Sequence, residues 1–212
     1  MNILSHRGLW HSPKEKNTFN SLIEALNQGF GIETDLRDFE GEIQISHDPI
    51  LEPQVKLTTL LQAYRASNSR GALALNIKAD GLLTKLQKFL QEYAVEEYFI
   101  FDMSIPQLFE AKQIGLSFFT RFSDIEPFPL IEYESCSGVW FDSFYGRYNN
   151  NFFQKIQEVL ENNKKVALVS PELHGRPYKK FWDELRTRQI DKLPNVFLCT
   201  DLSLNAKEYF SL

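Results

Sequence analysis

Three short segments near the N-terminus hold the residues best suited to chemistry: Ser5-His6-Arg7-Gly8, Glu33-Thr34-Asp35 and Ser46-His47-Asp48-Pro49. Each falls at the end of an apolar run. Together they supply two imidazoles, two closely spaced carboxylates and a guanidinium. Metal-assisted cleavage of a phosphodiester uses such a set: an acid, a base, a cation and a clamp for the phosphate.

An unperturbed imidazole titrates near pH ~6.5, so His6 and His47 can each hold or accept a proton at neutral pH. One would activate the attacking oxygen and the other protonate the leaving oxygen. Asp48 can orient the ring beside it. Two unrelated histidines are the plainer alternative. Glu33 and Asp35 stand two apart on one strand and point the same way. Like charges so close are costly unless a cation lies between them. Oxygen ligands suit Mg²⁺ or Ca²⁺, and solvated acids on a surface hairpin are the competing reading. Asn76 and Lys78 repeat the spacing in Ala-Leu-Ala-Leu-Asn-Ile-Lys, residues 72–78. Asn76 can offer a neutral third ligand oxygen. Lys78 can neutralise a phosphate oxygen or charge growing in the transition state, or simply face solvent. The planar fork of Arg7 suits two phosphate oxygens. Glu172, His174 and Trp140 lie near later strand ends and are candidate substrate contacts. Asp102 and Asp142 are further acids in such positions, and His11 sits in a polar loop beside Trp10.

These residues need strands to carry them, and the apolar pattern supplies strands and helices in alternation. A short strand at Ile3-Leu4 ends in His6. A helix capped by Asn17 or Thr18 runs to about Asn27, with Phe19, Leu22, Ile23 and Leu26 on one face. A strand over 32–36, a turn over 38–41 and an alternating arm over 42–46 read as a strand with a small hairpin. Further strands fall at 72–77, 98–101, 117–121, 139–141, 166–169 and 196–199. Helices fall at 57–66 (capped by Thr58), 82–93, from Ser104 with Pro106 in its first turn, 152–160 and 178–188. Pro127 and Pro129 break the connection over 126–134, and the tail is short. Eight parallel strands with intervening helices predict an α/β (β/α)8 barrel with chemistry at the C-terminal strand ends. The length predicts a compact variant with some outer helices short or missing. A doubly wound open sheet competes, but the turn after the first strand is His6-Arg7-Gly8, without a glycine-rich phosphate loop.

The chain has 212 residues, is 43% hydrophobic and carries a net charge of -5. That suits one domain over residues 1–212 with a full core. Lysines and arginines are scattered rather than striped, which argues against nucleic acid. Cys136 and Cys199 lack metal spacing and read as reduced core thiols of a cytoplasmic protein. The N-terminus has neither the basic region nor the apolar run of a signal peptide. No stretch reaches ~18 apolar residues, so no membrane span is expected. Most of the 18 Phe should be core; some could line a pocket or a homodimer face.

The motifs resemble the glycerophosphodiester phosphodiesterase family, among the phospholipase-C-like barrel phosphodiesterases. The matching pieces are His6-Arg7-Gly8, Asn17-Thr18, Glu33-Thr34-Asp35-Leu36-Arg37-Asp38, Gly41 and His47-Asp48. Asn76-Ile77-Lys78 and Thr200-Asp201 fit more thinly. The resemblance implies His6 and His47 as general acid and base. It implies a divalent cation on Glu33 and Asp35, and Arg7 near the phosphate. The implied reaction cleaves a small glycerophosphodiester to glycerol phosphate and an alcohol, through attack by the neighbouring hydroxyl and a cyclic phosphate. A lyase-like stop at the cyclic phosphate and a non-enzymatic phosphate-binding barrel are the alternatives. Two departures stand out. The family usually has a glutamate directly before Asn-Thr, where this chain has Lys16 with Glu15 one further back. The family usually has an acid as third ligand, where this chain has Asn76.

Overall fold

The computed structural model describes residues 1–67 and 71–211. Eight parallel strands alternate with helices along the chain, the pattern of a (β/α)8 barrel. Backbone contacts divide it into two compact units, Leu4–Phe118 and Met1–Ile3 with Phe119–Leu212.

The first unit contains β2 (Gly31–Phe39), β4 (Leu73–Ile77), β5 (Tyr98–Phe101) and the end of β1 (Asn2–His6), ordered β5-β4-β2-β1. Their central residues are buried on both faces, as parallel strands covered by helices must be. Register places His6 beside Glu33 and Asp35 beside Asn76. β2 continues beyond the expected Leu36 to Phe39, because its backbone pairs antiparallel with β3 (Glu42–Ile45). Glu40 and Gly41 turn that hairpin with φ of 49° and 77°, the left-handed pair that follows the twist of the strands.

Around these strands lie α1 (Phe19–Asn27), α2 (Leu57–Ala66), α3 (Leu83–Glu92) and α4 (Ile105–Gln113). Leu22, Ala25 and Leu26 form the buried face of α1, and Thr18 Oγ1 accepts from Ser21 N–H to cap it. Ser104 caps α4 ahead of Pro106. α2 corrects one expectation. Its N-cap is Lys56, without a side-chain cap, and Thr58 already lies inside the helix.

The second unit orders β9 (Val196–Thr200), β8 (Lys165–Val169), β7 (Gly138–Phe141) and β6 (Phe119–Phe122). No helix joins β6 to β7, consistent with the proline-broken connection. Helices α5 (Asn150–Glu161) and α6 (Lys179–Thr187) bury Phe152, Phe153, Phe181 and Trp182. The rings of Phe122, Phe141 and Phe152 contact one another at 5.1–6.1 Å, so much of the phenylalanine content is core. The tail also corrects the sequence reading, because Ser203–Phe210 forms a seventh helix, α7. Cys136 and Cys199 are buried free thiols. Among the described residues no helix is long and apolar enough to cross a membrane.

Candidate active site

β1 delivers His6, and the chain then bends sharply. Arg7 adopts φ 58° and Gly8 φ 90°. A Cβ on Gly8 would lie 2.6 Å from the Ser21 backbone carbon, so only glycine fits against α1. Arg7 N–H donates to Glu33 O at 2.8 Å, and Arg7 O accepts from Asn17 N–H at 2.9 Å. The strained backbone at Arg7 is therefore held from both sides. Asn17 (φ 61°) and Asp102 (φ 60°) are left-handed too.

Asp35 is the hub. It is fully buried. Arg7 Nε lies 2.9 Å from Oδ2 and Lys78 Nζ 3.6 Å from Oδ1. Asn17 Nδ2 donates to Oδ2 at 2.9 Å, while Asn17 Oδ1 accepts from Thr34 Oγ1 at 2.8 Å. Sequence reasoning treated Asn17 as a cap candidate; Thr18 caps, and Asn17 instead orients Asp35. Asparagine tolerates the left-handed bend and offers both a donor and an acceptor, but nothing in its spacing reveals the bend.

Glu33 is buried, and His6 Nε2 stands 3.8 Å from its Oε2. Burial, then the neighbouring Asp35 charge, pushes the Glu33 carboxyl well above its ordinary range, against the pull of Arg7 and Lys78. Asn76 Nδ2 donates to Asp102 Oδ2 at 3.3 Å, which leaves its Oδ1 as an acceptor. Glu33 Oε2, Asp35 Oδ1 and Asn76 Oδ1 are all buried and accept no hydrogen bond. Three orphaned hard oxygens on two paired strands fit a divalent cation of the Mg²⁺ or Ca²⁺ kind. Among the described residues no group of three or more His, Cys, Asp or Glu gathers to hold a metal, so the set depends on the amide of Asn76.

His47 follows β3. Ser46 N–H donates to Asp35 O at 3.0 Å, and Arg37 Nε donates to His47 O at 3.0 Å. Asp48 Oδ1 is 2.9 Å from His47 Nδ1, which orients the half-exposed ring. His47, Arg7 and Lys16 help line a cleft of about 370 Å³. Glu15 does not stand in for the acid missing at Lys16. Its carboxylate accepts from the backbone N–H of His11 and Ser12 at 2.8 and 3.2 Å.

The remaining predicted residues lie in the second unit. His174 Nε2 is 2.7 Å from Asp142 Oδ1, with Phe144 against the ring. Burial raises the Glu172 carboxyl although Ser170 and Thr200 hydroxyls and Asp201 N–H donate to it. Trp140 is buried. Asp124, which sequence reasoning missed, accepts from Ser143 Oγ and from Phe144 and Tyr145 N–H. Burial works against ionisation there, but these bonds outweigh it and hold the carboxyl below its ordinary range. A larger cavity of about 550 Å³ in this unit contains none of the predicted site residues.

No family model matches the chain, and no curated protein matches it by sequence. Solved structures do match along its whole length. A candidate glycerophosphodiester phosphodiesterase from Galdieria sulphuraria superposes with a TM-score of 0.77 at 18% identity, over 100% of this chain and 98% of that one. The chain folds as a (β/α)8 barrel. The glycerophosphodiester phosphodiesterase of Agrobacterium tumefaciens gives 0.72 at 17% identity, covering 100% of both chains. A phosphodiesterase of Oleispira antarctica, solved with its product sn-glycerol-3-phosphate, gives 0.71 at 16%, over 100% of this chain and 97% of that one. His6 and Asn76 stand at or next to the C-terminal ends of β1 and β4, while Glu33 and Asp35 lie within β2, in the parallel-paired stretch that precedes its hairpin with β3; the C-terminal strand ends are where such folds carry their chemistry.

Proposed function

We propose that this chain is a metal-dependent phosphodiesterase that hydrolyses a glycerophosphodiester or related small phosphodiester to glycerol phosphate and an alcohol. The observation that carries the proposal is the trio of orphaned buried oxygens on Glu33, Asp35 and Asn76 beside His6. A divalent cation held there would act as a Lewis acid on a phosphoryl oxygen. Arg7 and Lys78, both ion-paired to Asp35, supply positive charge for the phosphate. His6 and His47 are the acid and base: one takes the proton of the attacking oxygen, and the other returns a proton to the leaving alcohol. Asp48 holds the His47 ring by its Nδ1, leaving Nε2 for the transfer. Glu172, His174 and Trp140 are proposed as substrate-side residues of the second unit. The likeness to solved phosphodiesterases supports this reading. We infer a cytoplasmic enzyme from its free cysteines.

Hydrolysis of glycerophosphodiesters by the full chain and by His6→Ala and His47→Ala tests the proposal. Each variant should lose about 10²- to 10⁴-fold in kcat, the usual scale of general acid–base catalysis. Variants as active as the parent would remove the acid–base pair from the mechanism. A second reading has a specific observation behind it. The Lys78 ammonium 3.6 Å from Asp35 Oδ1 could take the place of a metal in a barrel that binds a phosphate ligand without turnover. That reading expects phosphate-ester binding insensitive to chelator.

A further inference from the structure

The second unit has a cavity of about 550 Å³ that the proposed reaction does not use. It lies between α5 and α6, and its size suits a small organic ligand rather than a bare ion. The rings of Tyr148, Phe153 and Phe181 give it an apolar lining. Tyr148 and Phe181 stand 4.7 Å apart, and Phe153 stacks on Phe181 at 6.1 Å and 28°. Three cations also line it, Arg176, Lys180 and Arg188, against one acid, Glu184. Glu184 is already taken. Its Oε2 accepts from Arg188 Nε at 3.0 Å, and Arg188 Nη2 donates to Asn150 Oδ1 at 2.9 Å. That leaves Arg176 and Lys180, neither of which forms an ion pair among the described residues. Arg176 Nη2 donates to Phe144 O at 2.6 Å, while its Nη1 is buried without a hydrogen-bond partner, as is the Tyr148 hydroxyl. Buried polar atoms are normally paired, within the protein or by what binds there. The acids whose charge reaches Tyr148 are engaged elsewhere: Asp142 with His174, Glu172 with Ser170 and Thr200, and Asp124 with Ser143 and the backbone N–H of Phe144.

A second, independent observation concerns α6. It begins Lys179-Lys180, has no acid in its first turn and takes no side-chain cap from Tyr178. The N-terminus of a helix is its positive end, so the dipole opposes two lysines placed there. An anion bound at that end offsets both.

We propose that this cavity binds a small phosphate monoester with an apolar body. Arg176, Lys180 and the start of α6 hold the phosphate, and the rings take the body. A phosphate monoester carries about -1.5 to -2 at neutral pH, which matches two open cations at a helix N-terminus better than the single charge of a carboxylate. The inference does not rest on the phosphodiesterase reading. Every residue lining the cavity belongs to the second unit, whereas His6, His47 and the three orphaned oxygens belong to the first.

Calorimetric titration of the full chain with phenyl phosphate, inorganic phosphate and benzyl alcohol at low ionic strength tests it. Phenyl phosphate should bind about tenfold or more tighter than either of the others, because it alone uses both the cations and the rings. Lys180 is exposed, so Lys180→Glu should fold, as circular dichroism can verify. It should weaken phenyl phosphate about tenfold or more and leave hydrolysis of glycerophosphodiesters as in the parent. Lys180→Gln should act in the same direction by about threefold. Lys78→Gln, in the first unit, should leave this binding in place. The site is overturned if phenyl phosphate does not bind, if its affinity ignores both Lys180 variants, or if Lys78→Gln abolishes it. A parent protein that hydrolyses no diester but still binds phenyl phosphate through Lys180 supports the site and removes only the phosphodiesterase reading.

Discussion

Glu33 shows how one residue can be costly to the fold and useful to the site. Burial and the Asp35 charge raise its carboxyl pKa in the folded protein. A carboxyl raised on folding contributes its full stability below the unfolded value and loses it as pH rises toward the folded one. Chelator-treated Glu33→Gln should therefore melt above the parent at pH 7.5 and alongside it at pH 4, as scanning calorimetry can check. The same variant should be nearly inactive. Asn76 offers the converse case. Asn76→Asp adds a carboxylate to the oxygen trio, and ligand charge raises cation affinity. We expect about tenfold tighter Mg²⁺ or Ca²⁺ binding by titration. The metal-free variant should be less stable, because the new charge faces Asp102 where an amide now donates to it at 3.3 Å. Residue types and the i, i+2 spacing made Glu33, Asp35, Asn76 and Lys78 legible in the sequence. The missing hydrogen bonds on three of their oxygens were not legible, since they depend on what the neighbouring strands place around them.

At the scale of elements, the connection from β1 to α1 does the positioning. Gly8 packs against the Ser21 backbone with φ 90°. Gly8→Ala forces both a clash and a disfavoured backbone, at about 1–3 kcal/mol. Melting should fall by about 2–12 °C for a chain of this size, and KM should rise because Arg7 shares the same bend. Unchanged melting and kinetics would show that this bend does not set the site. Where side-chain pattern controls an element, the sequence reading agrees with the structure: Thr18, one of the two caps offered, caps α1, a helix follows Ser104 with Pro106 in its first turn, and the strand over 98–101 appears. Where backbone pairing or small residues control it, the reading falls short. β2 outlasts its apolar run because Arg37 and Asp38 still pair with Gln44 and Ile43. α7 escaped notice because it buries Ser203, Ala206 and Phe210, two of them small, and so leaves little apolar period. The reading began the helix correctly at Leu57 but took Thr58 for its cap by residue type; the cap is the residue before the first helical one, and that is Lys56.

At the scale of the molecule, the alternation of strands and helices was enough to separate a (β/α)8 barrel from an open sheet, because no glycine-rich loop follows β1. Lysines and arginines are scattered over a chain of net charge -5, and the proposed substrate is accordingly a small phosphodiester rather than a polymer. The proposed chemistry falls to the first unit, which carries His6, His47 and the three buried oxygens without a hydrogen bond. The most direct test is ³¹P NMR of a glycerophosphodiester incubated with chelator-treated protein, before and after Mg²⁺, Ca²⁺ or Mn²⁺ is restored. The expected record is a silent chelated sample, followed on metal addition by loss of the diester resonance and growth of glycerol phosphate, with any cyclic phosphate transient. A diester resonance that persists with all three metals, or that decays equally in the presence of chelator, would contradict a metal-dependent phosphodiesterase.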